Sequence, residues 1–419
     1  MSKEKSVEIM LEEFLESMQD RNNRELTEDK KNKLKKILVS NFAFVSKDKA
    51  EFLKIFNPWQ NEDGQELIQK FVDNVNNLKS TDNFSWLDIL NGDREWNDFK
   101  KRNPKWNKLE NKNKHLNMQY QIPTHFHGDI DNAEVFHCLE NPRGYLGDWK
   151  DAEVDKEIQG SSLKDFYEET ALKRKETGKT IVEIIRERYQ LKKTDILDSV
   201  TNIIYSEESS LLQELNRLFD SEDLSDREYK NTELKEKRYY YIPEYYSQLI
   251  QKNKKLDFAK SKESELKDIA KKICNLEIYP FSCAQPNLGR NGIGEEILSN
   301  SNLSRLGAYI ILRRIYRYLA NGETKKPVFI FRKYDGAWKK LFDILFKEVE
   351  KTENPFVTDK FLKDLENHFF YCQLRPEGGG ITSGNVISVS DFYIWRDIYT
   401  KMKKDAFTEI SSLLTDSNE

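Results

Sequence analysis

Ala133-Glu134-Val135-Phe136-His137-Cys138-Leu139, running on into Glu140-Asn141-Pro142-Arg143-Gly144, is the stretch whose reading decides the fold. The apolar run is bounded by polar residues and is too short for a helix, which predicts a buried strand over 133–139. Pro142 lacks the N–H that a strand ladder needs, and Gly144 lets the backbone turn sharply, so the strand must empty into a loop. In an open α/β sheet, ligands bind beside the loops at the carboxyl ends of the strands. Asn141 is therefore the first candidate for a functional side chain, set against an ordinary turn after a core strand.

Three further runs repeat the pattern. Residues 274–281 lead through Ser282 into a loop containing Gly289, Gly292 and Gly294. Residues 327–331 form a continuous apolar run suited to a strand buried on both faces, and this run ends at Arg332. Residues 369–374 empty into Arg375-Pro376-Glu377-Gly378-Gly379-Gly380-Ile381-Thr382-Ser383-Gly384-Asn385. Helical sequence separates the runs, most clearly over 303–319, where Arg313, Arg314 and Arg317 predict a basic side. Strand alternating with helix implies right-handed crossovers, hence an α/β fold with a four-stranded parallel sheet flanked by helices. Its carboxyl edge would gather Asn141, Phe281, Ser282, Arg332 and the glycine turn. There Gly378, Gly379, Ser383 and Asn385 would supply donors for a phosphate.

The remaining sequence reads as helix. Residues 1–115 form an all-α amino-terminal domain in which Trp59, Trp86, Trp96 and Trp106 read as core. The run 100–114 mixes basic residues with Trp106 and reads as a linker or solvated face, with a phosphate-facing surface as the alternative. Residues 116–419 form the α/β domain, with a helical insertion at about 150–256. The insertion ends in Arg238-Tyr239-Tyr240-Tyr241-Ile242-Pro243-Glu244-Tyr245-Tyr246, tyrosines that either seal it against the sheet or stack on unpaired bases. His125 and His127 share a strand face, but no third ligand lies nearby, and no metal is expected.

Composition narrows the function. The 68 basic and 72 acidic residues nearly balance, so nucleic-acid binding rests on local clustering rather than on net charge. Four widely spaced cysteines, three of them in or beside strand runs, read as buried thiols. The chain starts with an amphipathic helix, and no window approaches a membrane span, which predicts a cytoplasmic protein without a membrane partner. No Gly-Lys-Ser/Thr phosphate loop, Gly-x-Ser-x-Gly elbow or dinucleotide fingerprint occurs. These absences tell against nucleoside triphosphatases, serine hydrolases and dinucleotide-dependent oxidoreductases, and no cofactor is expected. Asp129, Asp131 and Glu134 precede the edge instead of converging on it, which tells against a metal-dependent nuclease.

Taken in order, these motifs resemble one family. A Gly128-Asp129-x-x-Asn132-Ala133 lead-in is followed by a strand ending in Asn141-Pro142-x-Gly144 and a second ending in Tyr279-Pro280-Phe281-Ser282. A last strand runs into Arg375-Pro376-x-Gly378. The combination is similar to the uracil-DNA glycosylase superfamily over residues 120–149 and 270–395, and most to its divergent branches whose first motif is Asn-Pro-Gly. Those branches include enzymes that defend bacteria by excising modified bases from phage DNA. The resemblance implies DNA as partner and hydrolysis of the N-glycosidic bond of a flipped, modified base. Asn141 would position water or stabilise the sugar cation, with Asp148 as a substitute for the family's water-activating aspartate. Pro142, Arg143 and Tyr145 would shape the pocket, Phe281 would stack on the base beside Ser282, and Arg375 would reach it. Arg375-Pro376-Glu377 stands where the family often has His-Pro-Ser. That departure favours the alternative of a non-catalytic nucleic-acid or nucleotide binder on the same fold.

Overall fold

The structure, a computed structural model, describes residues 6–19, 26–78, 84–102, 119–142, 162–220, 228–251, 256–282, 293–322, 325–350, 358–374 and 380–415. In chain order its strands are β1 (Phe126–His127), β2 (Val135–Leu139), β3 (Tyr205–Ser206), β4 (Glu228–Tyr229), β5 (Leu256–Asp257), β6 (Ile273–Glu277), β7 (Val328–Phe331), β8 (Phe370–Gln373) and β9 (Val386–Ser388). Seven of them make one sheet in the order β3-β1-β6-β2-β7-β8-β9, and β4 with β5 make a separate ribbon.

The sheet corrects the sequence expectation. The four strands read from sequence are its contiguous centre, β6-β2-β7-β8, all parallel. The sheet continues on both sides, however. β1 adds to β6 antiparallel, β3 adds to β1 parallel, and β9 adds to β8 antiparallel, which makes a mixed sheet of seven strands. Strands of two or three residues leave too few positions for a period of two to register. Gly128 shows what their seating requires. Its φ is +125°, and a Cβ there would meet the Ile273 carbonyl oxygen at 2.5 Å, so only glycine lets β1 turn away beside β6.

Alternation along the central strands sends side chains into two cores. Phe136, Cys138, Cys274, Leu276, Phe329, Phe331, Phe370 and Cys372 face the larger one, covered by helices Asn302–Ala320, Lys339–Glu350 and Thr358–His368. Val135, Leu139, Ile273, Val328 and Ile330 face the smaller one, covered by helices Ser210–Asp220 and Glu263–Lys271 and by the tyrosine-rich segment. Cys138, Cys274 and Cys372 are buried free thiols.

Helix Asn302–Ala320 is apolar on most sides because it is buried on most sides. Ser301 caps it, accepting from the Leu303 N–H at 3.1 Å. Its expected basic side is absent as a surface. Arg313 is buried and grips Asp131 through two bonds of 2.7 and 2.9 Å, while Arg314 is buried and donates to the Ala133 carbonyl at 2.9 Å. These arginines fasten the helix to the turn that leads into β2. The amino-terminal helices were expected as a domain of their own; among the described residues they pack into the core of the sheet. Leu38, Phe52, Trp59, Phe71, Trp86 and Trp96 belong to the same apolar cluster as the sheet. Trp106 and most of the run 100–114 lie outside the described residues. No helix among the described residues is long and apolar enough to cross a membrane.

Candidate active site

The face of the sheet that meets the smaller core changes character along its strands. It begins with Val135, Ile273 and Val328, then turns polar at His137, Asn275, Glu277 and Gln373, all buried. Where these strands end, their exits are tied together. The Arg332 N–H donates to the Cys138 carbonyl at 2.9 Å, the Trp338 indole N–H donates to the Leu139 carbonyl at 3.1 Å, and Lys333 pairs with Glu140 at 2.7 Å. The Ile278 and Tyr279 N–H groups reach the carbonyls of Leu139 and Glu140. A cavity of about 290 Å³ opens above these exits.

Three strands contribute to its lining: Leu139, Asn141 and Pro142 after β2, Glu277 and Ser282 from β6 and its exit, and Arg332 after β7. Tyr239, Tyr240, Tyr241 and Tyr245 form one wall, and Gln121, Arg188, Tyr189 and Gln190 form another. The tyrosine wall is held from behind. The buried Glu214 carboxylate accepts the backbone N–H groups of Tyr240, Tyr241 and Ile242 at 2.6, 3.0 and 2.8 Å. Burial pushes this carboxyl up, while those three amides and Arg217 pull it back. The tyrosines thus both seal the insertion on the sheet and line the cavity, and the Tyr240 and Tyr245 hydroxyls meet at 3.0 Å.

Beneath the wall runs a polar network. Asn275 Oδ1 accepts the Ser210 N–H at 3.1 Å, and the Asn275 amide donates to the Tyr246 hydroxyl. That hydroxyl lies 3.1 Å from His137 Nδ1. Assigned from this network, its proton goes to Nδ1, and Nε2 carries the imidazole hydrogen. Burial, with Arg332 adding to it, lowers His137 to about 3, so the ring is neutral. The Tyr245 ring packs edge-on against it at 4.9 Å, and Arg332 Nη1 donates to the Tyr245 hydroxyl at 3.1 Å.

Several lining groups end without a partner. Glu277 Oε2, Arg332 Nε, Arg188 Nε and Nη1, and both polar atoms of the Gln121 side chain are buried and unsatisfied. Burial pushes the Glu277 carboxyl well above the ordinary carboxylate range; Arg332 opposes that shift and Glu140 reinforces it. A buried polar group left unmatched costs about 1–3 kcal/mol. Several such groups line this one cavity, where a polar molecule could satisfy them. Lys235 and Arg238 stand at the rim, Lys235 paired with Glu244.

Of the residues singled out from sequence, Asn141, Pro142, Ser282 and Arg332 meet in this cavity. The Asn141 amide nitrogen donates to the Pro142 carbonyl at 2.8 Å. Phe281 does not join them. It is fully buried in the larger core, 5.4 Å from the Tyr279 ring, because the chain turns back into the core after Pro280. Ser383 lines a separate polar groove with Asn231, Ser247 and Thr382. Asn385 is buried in its own turn, donating to the Gly380 carbonyl at 2.8 Å, so it is not presented to a phosphate. Arg143, Tyr145, Asp148, Arg375, Gly378 and Gly379 lie outside the described residues.

His125 and His127 are structural. His125 accepts the Trp59 indole N–H at 3.0 Å and reaches the Leu303 carbonyl at 3.0 Å, while His127 reaches Ser210 and the Ile203 carbonyl at 2.8 and 3.0 Å. Among the described residues no group of three or more His, Cys, Asp or Glu side chains converges as a metal site.

Sequence reasoning passed over Gln121, Arg188, Glu214 and Glu277. For Glu277 a signal was present: Cys274-Asn275-Leu276-Glu277 alternates, which places Asn275 and Glu277 on one face of a strand. No family model, curated protein or solved structure matches this chain.

Proposed function

We propose that this cavity receives a base turned out of DNA and that the chain is a DNA glycosylase, hydrolysing the N-glycosidic bond to leave an abasic site. The observation that carries the reading is the convergence of Asn141, Ser282 and Arg332 from three parallel strands on one tyrosine-walled cavity that contains unmatched hydrogen-bonding groups. A base outside the helix needs a fitted pocket with flat surfaces and polar contacts at its edge. The tyrosines provide the surfaces, and Gln121, Glu277 and Arg332 provide the contacts. Arg238 stands at the cavity rim as a cation suited to a neighbouring phosphate, while Lys235 and Arg188 are held by Glu244 and Glu176.

Cleavage passes through an oxocarbenium-like sugar, so orienting water and stabilising charge supply most of the catalysis. The Asn141 side chain at the cavity edge takes the role of holding water near the glycosidic carbon. Arg332, fixed by its bond to Tyr245, stabilises negative charge gathering on the departing base. The motif order that resembles the uracil-DNA glycosylases points the same way, with modified phage DNA in the cytoplasm as the setting.

A non-catalytic nucleotide binder is the second reading. It is favoured by the Asn141 amide turned onto Pro142 and by the lack of a histidine among the described lining residues. Incubation with plain and modified-base phage DNA in EDTA separates the two. Free base with alkali-labile sites supports the glycosylase, whereas shifted but intact DNA supports the binder. Metal-dependent strand breaks would point to a nuclease and overturn both.

A further inference from the structure

We infer that the cavity selects a purine presenting two adjacent acceptors, and that Glu277 is the specificity-determining residue, donating a hydrogen bond from a neutral carboxyl to the edge of the base. The inference rests on the base-binding reading above.

Size is the first argument. A cavity of about 150 Å³ holds a single benzene ring. This one, at about 290 Å³, is nearly twice as large, so a lone pyrimidine ring would leave much of it empty.

The chemistry of the lining is the second argument. Glu277 is only 3% exposed, and its Oε2 has no partner. Around it stand Glu140 from the β2 exit, Arg332 from the β7 exit, and Tyr241, Tyr245, Tyr246 and Cys138. Among the described residues no ion pair joins Glu277 to a cation, and Lys333 is occupied by Glu140. Burial outweighs the pull of Arg332 and holds a carboxyl so placed in its protonated form. It then acts as a donor. Arg332 Nε, Arg188 Nε and Nη1, and Gln121 Nε2 are further open donors, against a single open amide acceptor at Gln121 Oε1. A donor-rich lining calls for an acceptor-rich edge. Among the common bases guanine presents two adjacent acceptors, O6 and N7, whereas adenine places a donor beside N7.

The test is equilibrium titration of the whole chain with guanosine, adenosine, uridine and cytidine 5′-monophosphates, up to millimolar concentration. Wild type, Glu277→Gln and Glu277→Ala are compared, each checked for native circular dichroism. The guanosine nucleotide is expected to bind at least ten-fold tighter than either pyrimidine nucleotide. Glu277→Gln, which keeps a donor in the same place, should retain that preference within three-fold. Glu277→Ala should lose at least ten-fold in guanosine affinity and flatten the preference.

Equal or tighter pyrimidine binding overturns the inference. So does equal loss in the Gln and Ala variants, or absence of binding by all four nucleotides. These outcomes leave the glycosylase reading to its own assay. Selective binding without base release would keep the inference and remove the catalytic reading.

Discussion

The two faces of the four central strands are made from the same residues in alternation, yet they are built for different ends. One carries Phe136, Cys138, Cys274, Leu276, Phe329, Phe331, Phe370 and Cys372 in a dry core. The other begins apolar at Val135, Ile273 and Val328 and turns polar at His137, Asn275, Glu277 and Gln373. The first face maximises buried apolar area, the main source of cohesion. The second gives up part of that gain just where the strands reach the cavity. Polarity gathered toward the carboxyl ends of one face therefore marks the place where the molecule gives up cohesion beside the cavity.

Acidification should stress this contrast most. His125, His127 and His137 are held neutral, with values lowered by burial to about 3, about 4 and about 3. Unfolded, each takes up a proton near its ordinary value, so stability is full above about pH 6.5 and falls as the pH drops toward the folded values. Unfolding free energies from urea titrations at pH 7.5 and 4.5 should differ by roughly 2–3 kcal/mol for each histidine. A flat profile would mean that these three imidazoles are reached by water in the folded state.

Mutations on the two faces should diverge next. Phe331→Ala, in the dry core, should cost about 3–5 kcal/mol in urea unfolding. Asn141→Ala, at the cavity, should leave stability within about 0.5 kcal/mol but lower base release at least about 100-fold, with DNA affinity retained. Full activity in that variant would remove Asn141 from the site.

Gly380→Ala tests how the cavity wall is backed. A Cβ there would meet the Glu244 carbonyl oxygen at 2.6 Å and the Tyr245 carbonyl oxygen at 3.1 Å. The substitution should cost about 1–3 kcal/mol in thermal unfolding and weaken nucleotide binding. The smallest effect belongs to Glu277→Gln. Because the folded carboxyl resists ionising, its cost is absent below the ordinary carboxylate range and grows as pH rises above it. The variant should be more stable than wild type by about 1 kcal/mol at pH 8 and equal to it near pH 4.

Much of the sheet was legible because its four parallel strands are short, mostly apolar runs between helical stretches. β1, β3 and β9 were not, since strands this short leave no periodic trace. Asn141, Pro142, Ser282 and Arg332 could be found by position alone, as the residues at strand ends. Phe281 misled because a Pro-Phe step at a strand exit has the same spelling whether the ring enters the cavity or returns to the core. Gln121, Arg188 and Glu214 gave no warning, since each is a lone polar residue whose role arises only from distant neighbours. That the amino-terminal helices share the apolar cluster of the sheet was hidden for the reverse reason. Amphipathic helices look alike whether they pack on one another or on a sheet.

Glu214 holds the tyrosine wall through backbone amides, not through the rings themselves. Amides are common to every residue but proline, so the anchor is indifferent to which side chains the segment displays. The strand-exit floor of the cavity and its tyrosine wall are thereby anchored separately. Exchanging Tyr240 or Tyr241 would change the cavity wall while leaving the amide anchor at Glu214 in place.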